Sequence, residues 1–127
     1  MQTGCGCGSV GETLIFTCAG AAHSGQVANR AGVQAMQQGA GHLLCIAAVA
    51  ADIADKMERT HKAGKRIVID GCDDHCCRKV MEKAGLSVDV HVVATDLGIE
   101  KKPAHPDMIG DAKKVVDKVR ALSAAGC

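Results

Sequence analysis

The stretch Arg66-Ile67-Val68-Ile69-Asp70-Gly71-Cys72-Asp73-Asp74-His75-Cys76-Cys77 decides the fold. Ile67-Val68-Ile69 is an unbroken β-branched run, which describes a strand covered on both faces, as in a parallel sheet packed between helices. Gly71 and the residues after it form a turn. Beyond the turn, Cys77, Val80, Met81 and Ala84 recur at helical spacing and make one apolar stripe. Residues 66–70 and 74–84 therefore form a strand and the helix that follows it.

The same unit recurs on either side. Leu14-Ile15-Phe16 is a second unbroken apolar run. The strands are expected at 13–17, 42–48, 66–70 and 88–94, and the helices at 24–38, 52–62, 74–84 and 106–123. Ser24, Asp52 and Asp74 are suited to cap helix starts by accepting from unpaired backbone amides. Gly39, Gly64 and Gly85 stand where helix ends favour a left-handed residue, and Pro106 suits the first turn of the last helix. There Ile109, Ala112, Val116 and Val119 share the face that packs on the sheet. Strands alternating with helices predict a three-layer α/β domain with a mostly parallel four-stranded sheet and helices on both faces. Val88-Asp89-Val90-His91-Val92 alternates, as an edge strand does. With the two apolar runs in the centre, the expected strand order is 2-1-3-4. Ligands of such sheets bind beyond the carboxyl ends of the strands, where the winding reverses between strands 1 and 3.

Composition sets limits. A chain of 127 residues fits one domain. We assign residues 1–11 to a flexible Cys/Gly-rich arm and 12–127 to a single α/β metal-binding domain. The hydrophobic share is 47%, but much of it is Ala, and Phe16 is the only aromatic residue. Small side chains bury little area, so the core is modest. The net charge of +1, with no basic block or aromatic platform, argues against nucleic acid as a partner. The longest apolar run, 43–51, is about half of what spans a bilayer, and Met1 to Gly8 do not read as a signal peptide. These features predict a cytoplasmic protein without a membrane partner. A metal ion is the expected partner, and a protein partner or homodimer is left open.

Eight cysteines in such a chain call for an explanation. Cytosolic thiols stay reduced, which favours metal binding or thiol chemistry over disulfides. Cys18 follows the first strand, Cys72 follows the third, and Cys45 lies within or near the end of the second. In the order 2-1-3-4 these three stand on adjacent strands about 4.8 Å apart. Cys76 falls in the first turn of the third helix, where the helix dipole favours thiolate. Three strand ends and one helix start can supply a tetrahedral zinc, with sulfurs about 2.3 Å from the metal.

Thr17-Cys18-Ala19-Gly20-Ala21 with Gly25-Gln26, then Leu44-Cys45, then Ile69-Asp70-Gly71-Cys72 with Cys76, resembles the DGC-domain proteins. That family is described as zinc-binding through four cysteines. The resemblance runs from about Glu12 to about Gly98, and it implies Zn²⁺ as cofactor with Cys18, Cys45, Cys72 and Cys76 as ligands. The chain departs from the family pattern at Asp73, where proline is common. Cys77 is an extra neighbour, and Cys5, Cys7 and Cys127 lie outside the pattern.

Other readings of the same residues remain. Buried cysteine is often only a small hydrophobe; that reading suits Cys77, about 100° round the helix from Cys76. His23 and His75 lie close enough to replace a sulfur or to support one, whereas His42, His61, His91 and His105 read as surface residues. Asp70 is placed to accept amides of the turn. Asp96 faces the same edge as a turn residue. A redox or persulfide role is open to Cys72 with Cys76 or Cys77, and to a relay through Cys5 and Cys7. Cys72 to Arg78 also has the Cys-x5-Arg layout of cysteine phosphatases and arsenate reductases. Asp73 and Asp74 inside that loop repel a phosphate dianion. In the loop after Cys18, Ser24 stands where the arginine is needed.

Overall fold

The computed structural model describes residues 11–104 and 109–125. The arm with Cys5 and Cys7, as well as His105, Pro106 and Cys127, lies outside the described residues. The elements are β1 (Thr13–Thr17), α1 (His23–Gln37), β2 (His42–Leu43), α2 (Ile46–Ala50), α3 (Ala54–Lys62), β3 (Lys65–Asp70), α4 (Cys76–Lys83), β4 (Val90–Val93) and α5 (Ile109–Ala125). A 3-10 turn, Ala94–Leu97, follows β4.

The sheet is parallel throughout, in the order β2-β1-β3-β4. The two unbroken apolar runs pair at its centre, with Ile15 opposite Ile67 and Phe16 opposite Val68. Side chains alternate across a strand, so each run feeds two cores. Ile15, Ile67 and Ile69 pack beneath α1 and α5 with Val27, Ala31, Ala112, Val115 and Val119. On the opposite face Leu14, Phe16 and Val68 pack with Val49, Cys77 and Met81 from α2 and α4. Helices thus cover both faces, and Ala112, Val116 and Val119 are buried as their spacing predicts.

The second unit differs from expectation. Only His42 and Leu43 pair as a strand, and the chain then turns into α2. Ile46-Ala47-Ala48-Val49-Ala50 is mostly alanine, the best helix former, and a short apolar run carries no periodicity to separate helix from strand. Asp52 sits in the link between α2 and α3 with φ 59° rather than capping a helix. Gly39 and Gly85 do adopt positive φ, at 83° and 77°, while Gly64 does not. After α3 the chain instead leaves through extended Ala63, and the Gly64 amide donates to Glu12 O at 2.9 Å.

Candidate metal centre

The loops after β1 and β3 meet the start of α1 backbone to backbone. A Cβ on Gly71 would stand 2.6 Å from the Gly25 nitrogen, and one on Gly25 would stand 2.6 Å from the Gly20 Cα. Only glycine permits such approach. The three glycines of the Cys-Ala-Gly, Ser-Gly-Gln and Asp-Gly-Cys segments therefore act together, holding the Cys18 loop against the Cys72 loop. Gly71 N donates to Cys18 Sγ at 3.3 Å across that contact. The Cys18 amide donates to Ile69 O, extending the β1–β3 ladder one residue past the strand.

Asp70 fixes the fourth position. Its carboxylate, 1% exposed, accepts from the amides of Cys77 at 2.8 Å and Arg78 at 3.2 Å, the first turn of α4. It also accepts from His91 Nε2 at 2.8 Å. Arg78 Nη1 lies 3.2 Å from His91 Nδ1, and a guanidinium only donates, so the imidazole proton sits on Nε2. This carboxylate caps α4 from an adjacent strand. Asp74 does not cap it: α4 begins at Cys76, with His75 at its N-cap in a left-handed conformation, φ 55°. Nor is Ser24 a cap, because α1 starts a residue earlier at His23 and encloses the Ser24 hydroxyl.

His91 is the residue that sequence reasoning missed. It was expected at the surface, but its side chain is 12% exposed and its ring meets His75 edge-on with centroids 4.9 Å apart. Its alternation in β4, with Val90 and Val92 buried on the opposite face, was the available signal. His42 and His61 are exposed. His23 is buried, with Nε2 donating to Asp111 Oδ2 at 2.9 Å and Nδ1 unpartnered. Asp96 is exposed in the 3-10 turn.

The sheet therefore delivers Cys18, Cys45 and Cys72 beyond the carboxyl ends of β1, β2 and β3, with Cys76 at the first residue of α4. Cys18 and Cys72 are half-buried, Cys45 and Cys76 exposed, and all are free thiols. Among the described residues, the ligand atoms that stand in threes within 4.8 Å of one another are those of Cys72, Asp73 and Asp74. Cys18, Cys45 and Cys76 share the edge with Cys72 without forming such a set. Cys77 points into the core, 1% exposed. Burial pushes its thiol up from the ordinary value, helped by repulsion from the Asp70 carboxylate. Burial likewise pushes the Cys18 thiol up, opposed by the amides of Gly20 and Gly71 and reinforced by Asp70 and Cys76.

The donor set fits a thiophilic cation in kind. It offers soft sulfurs, hard carboxylates beside one of them, and amide donors on Cys18 of the sort that orient metal-bound ligands. Burial first, and repulsion from the Asp70 carboxylate to a lesser degree, disfavour a bare thiolate at Cys18 and Cys77. An anion finds no welcome at α4, because Asp70 already takes the amides of Cys77 and Arg78.

Fold and site together define a parallel α/β domain with thiols gathered at the switch point of its sheet. The profile of the DGC domain family matches residues 14–119, and the chain belongs to that family. No curated protein and no solved structure matches it significantly. Among the described residues no helix is long and apolar enough to cross a membrane.

Proposed function

We propose that this protein holds one zinc ion through Cys18, Cys45, Cys72 and Cys76, and that it serves zinc storage or sensing in a reducing cytoplasm. The observation that carries the reading is the glycine-on-glycine contact of the Cys18 and Cys72 loops, with the Gly71 amide on the Cys18 sulfur. A backbone this closely fitted brings two half-buried thiols from different strands to one edge. Cys45 and Cys76 flank them from β2 and α4. Four thiolate ligands close a tetrahedron and leave no open position for catalysis. Storage or sensing is favoured over a purely structural role because both apolar clusters close on either side of the sheet, and two of the four thiols are solvent-exposed.

The phosphatase alternative loses its anion cradle to Asp70, and Arg78 is engaged with His91 and Glu82. A Cys72–Cys77 redox pair is disfavoured by the burial of Cys77. Elemental analysis of protein purified under reducing conditions without added metal tests the proposal. The expected result is about one zinc per chain, as a single tetrahedral thiolate site holds. Metal-free protein with every thiol reactive, and no zinc taken up on addition, contradicts it.

A further inference from the structure

The segment after the 3-10 turn crosses the carboxyl edge of the sheet. Ile99 is buried and anchors it. The His23 amide donates to Lys102 O at 2.6 Å, and Ala22 and Pro103 form an antiparallel bridge. This backbone is thereby tied to the loop after β1, and it brings Lys101 over the loop after β3. Lys101 Nζ donates to Asp74 Oδ2 at 3.1 Å, and a carboxylate oxygen of Asp74 lies within 4.8 Å of the Cys72 sulfur. Cys72 and Asp74 are two of the three residues whose ligand atoms lie within 4.8 Å of one another. An ammonium thus stands beside the Cys72 corner of the proposed zinc site, paired with the acidic neighbour of that thiol.

We propose that Lys101 is a built-in competitor for the metal: its ammonium neutralises the Cys72/Asp74 corner of the metal-free site and must leave before an ion binds there. The inference rests on the zinc reading and specifies how the site is regulated. A divalent ion on the Cys72 sulfur and an ammonium on the neighbouring Asp74 carboxylate repel each other, and the repulsion is relieved when the lysine swings out. Both partners are placed for that. The Lys101 and Asp74 side chains are 51% and 64% exposed, so the pair is weak enough to open at little cost. The fixed backbone at Lys102 and Pro103 keeps the displaced lysine close, ready to return when the ion is given up. The ammonium thereby lowers affinity and favours release, as a storage or sensing site requires.

The test is a zinc titration against a competing chelator, with wild type, Lys101→Met, Lys101→Arg and Lys113→Met compared at low and high salt. Lys113 is an exposed residue of α5 paired with Asp117 and serves as a charge control. Lys101→Met is expected to bind zinc about 1.5- to fivefold more tightly at low salt, the range an exposed charge interaction commands, and the gain shrinks as salt rises. Lys101→Arg and Lys113→Met are expected to stay with wild type. In a second measurement, amine acylation read by peptide mass should show Lys101 becoming more reactive on zinc addition, while Lys113 does not change. Unchanged or weaker zinc binding in Lys101→Met, with zinc still bound by wild type, overturns the proposal; so does a Lys101 reactivity indifferent to zinc. If wild type binds no zinc at all, the zinc reading itself fails and this inference falls with it.

Discussion

Asp70→Asn is the substitution that most sharply probes how the site is held. The carboxylate is 1% exposed and accepts three hydrogen bonds, from Cys77 N, Arg78 N and His91 Nε2. Asparagine keeps one acceptor oxygen and turns an NH₂ toward donors. The oxygen near Cys77 N can be retained, but the bonds at the other oxygen, from Arg78 N and His91, are lost. Hydrogen bonds to a charged group contribute about 1.5–3 kcal/mol each, so two lost bonds predict a cost of about 3 kcal/mol or more. For a domain of this size that lowers Tm by about 10 °C. The assay is urea and thermal unfolding followed by far-ultraviolet circular dichroism, with chelator present so that bound metal does not contribute. A loss below about 1 kcal/mol, the worth of one ordinary neutral hydrogen bond, refutes the assignment of Asp70 as the buried cap of α4.

Three further outcomes follow from the same geometry. Gly71→Ala forces a Cβ to 2.6 Å from the Gly25 nitrogen and is expected to destabilise by about 1–3 kcal/mol or more, measured by urea unfolding; Gly110→Ala, whose Cβ meets nothing within 4 Å, is the tolerated control. Cys77→Ser places a hydroxyl on the core face of α4 and should cost about 1–3 kcal/mol in the same assay, whereas Cys77→Val should cost less. The buried Cys77 thiol keeps its proton in the folded chain while the unfolded chain releases it above the ordinary value of 9.0. The unfolded state then binds fewer protons, so stability of the metal-free protein falls as pH rises past that value, by about 1.4 kcal/mol per unit for each such thiol. Cys77→Val should flatten that slope.

The strand order was legible because Leu14-Ile15-Phe16 and Ile67-Val68-Ile69 lack polar alternation, which places them at the sheet centre and sends β2 and β4 to the edges. The burial of Cys77 was legible for a similar reason, its stripe with Met81. The start of α2 was not, since five small and apolar residues fit either element and tertiary pairing decides. Nor were the helix starts. Local capping residues exist at Ser24, Asp52 and Asp74, but α4 takes its cap from Asp70 through a fold-level contact, and α1 is set by the Gly25 contact with Gly20 and Gly71. His91 illustrates the same limit: its partner is on the neighbouring strand, and spacing along the chain does not reveal it. The edge at which the cysteines gather was therefore readable from topology, and Asp70 from its place before the turn whose following amides it accepts, whereas the His91 contact that holds Asp70 required the structure.

The central claim, that Cys18, Cys45, Cys72 and Cys76 hold one metal, is tested most directly by cobalt substitution in a cysteine-by-cysteine series. Cobalt–thiolate charge-transfer bands fall in the near ultraviolet, where a chain without Trp or Tyr is nearly transparent. The account predicts saturation near one cobalt per chain, with each of Cys18→Ser, Cys45→Ser, Cys72→Ser and Cys76→Ser weakening both bands and affinity, because each removes one corner of a tetrahedron. Cys5→Ser, Cys7→Ser, Cys77→Ser and Cys127→Ser should leave the spectrum intact. Bands that survive the loss of Cys18 and Cys72, or that depend on Cys77 in place of Cys76, would contradict it.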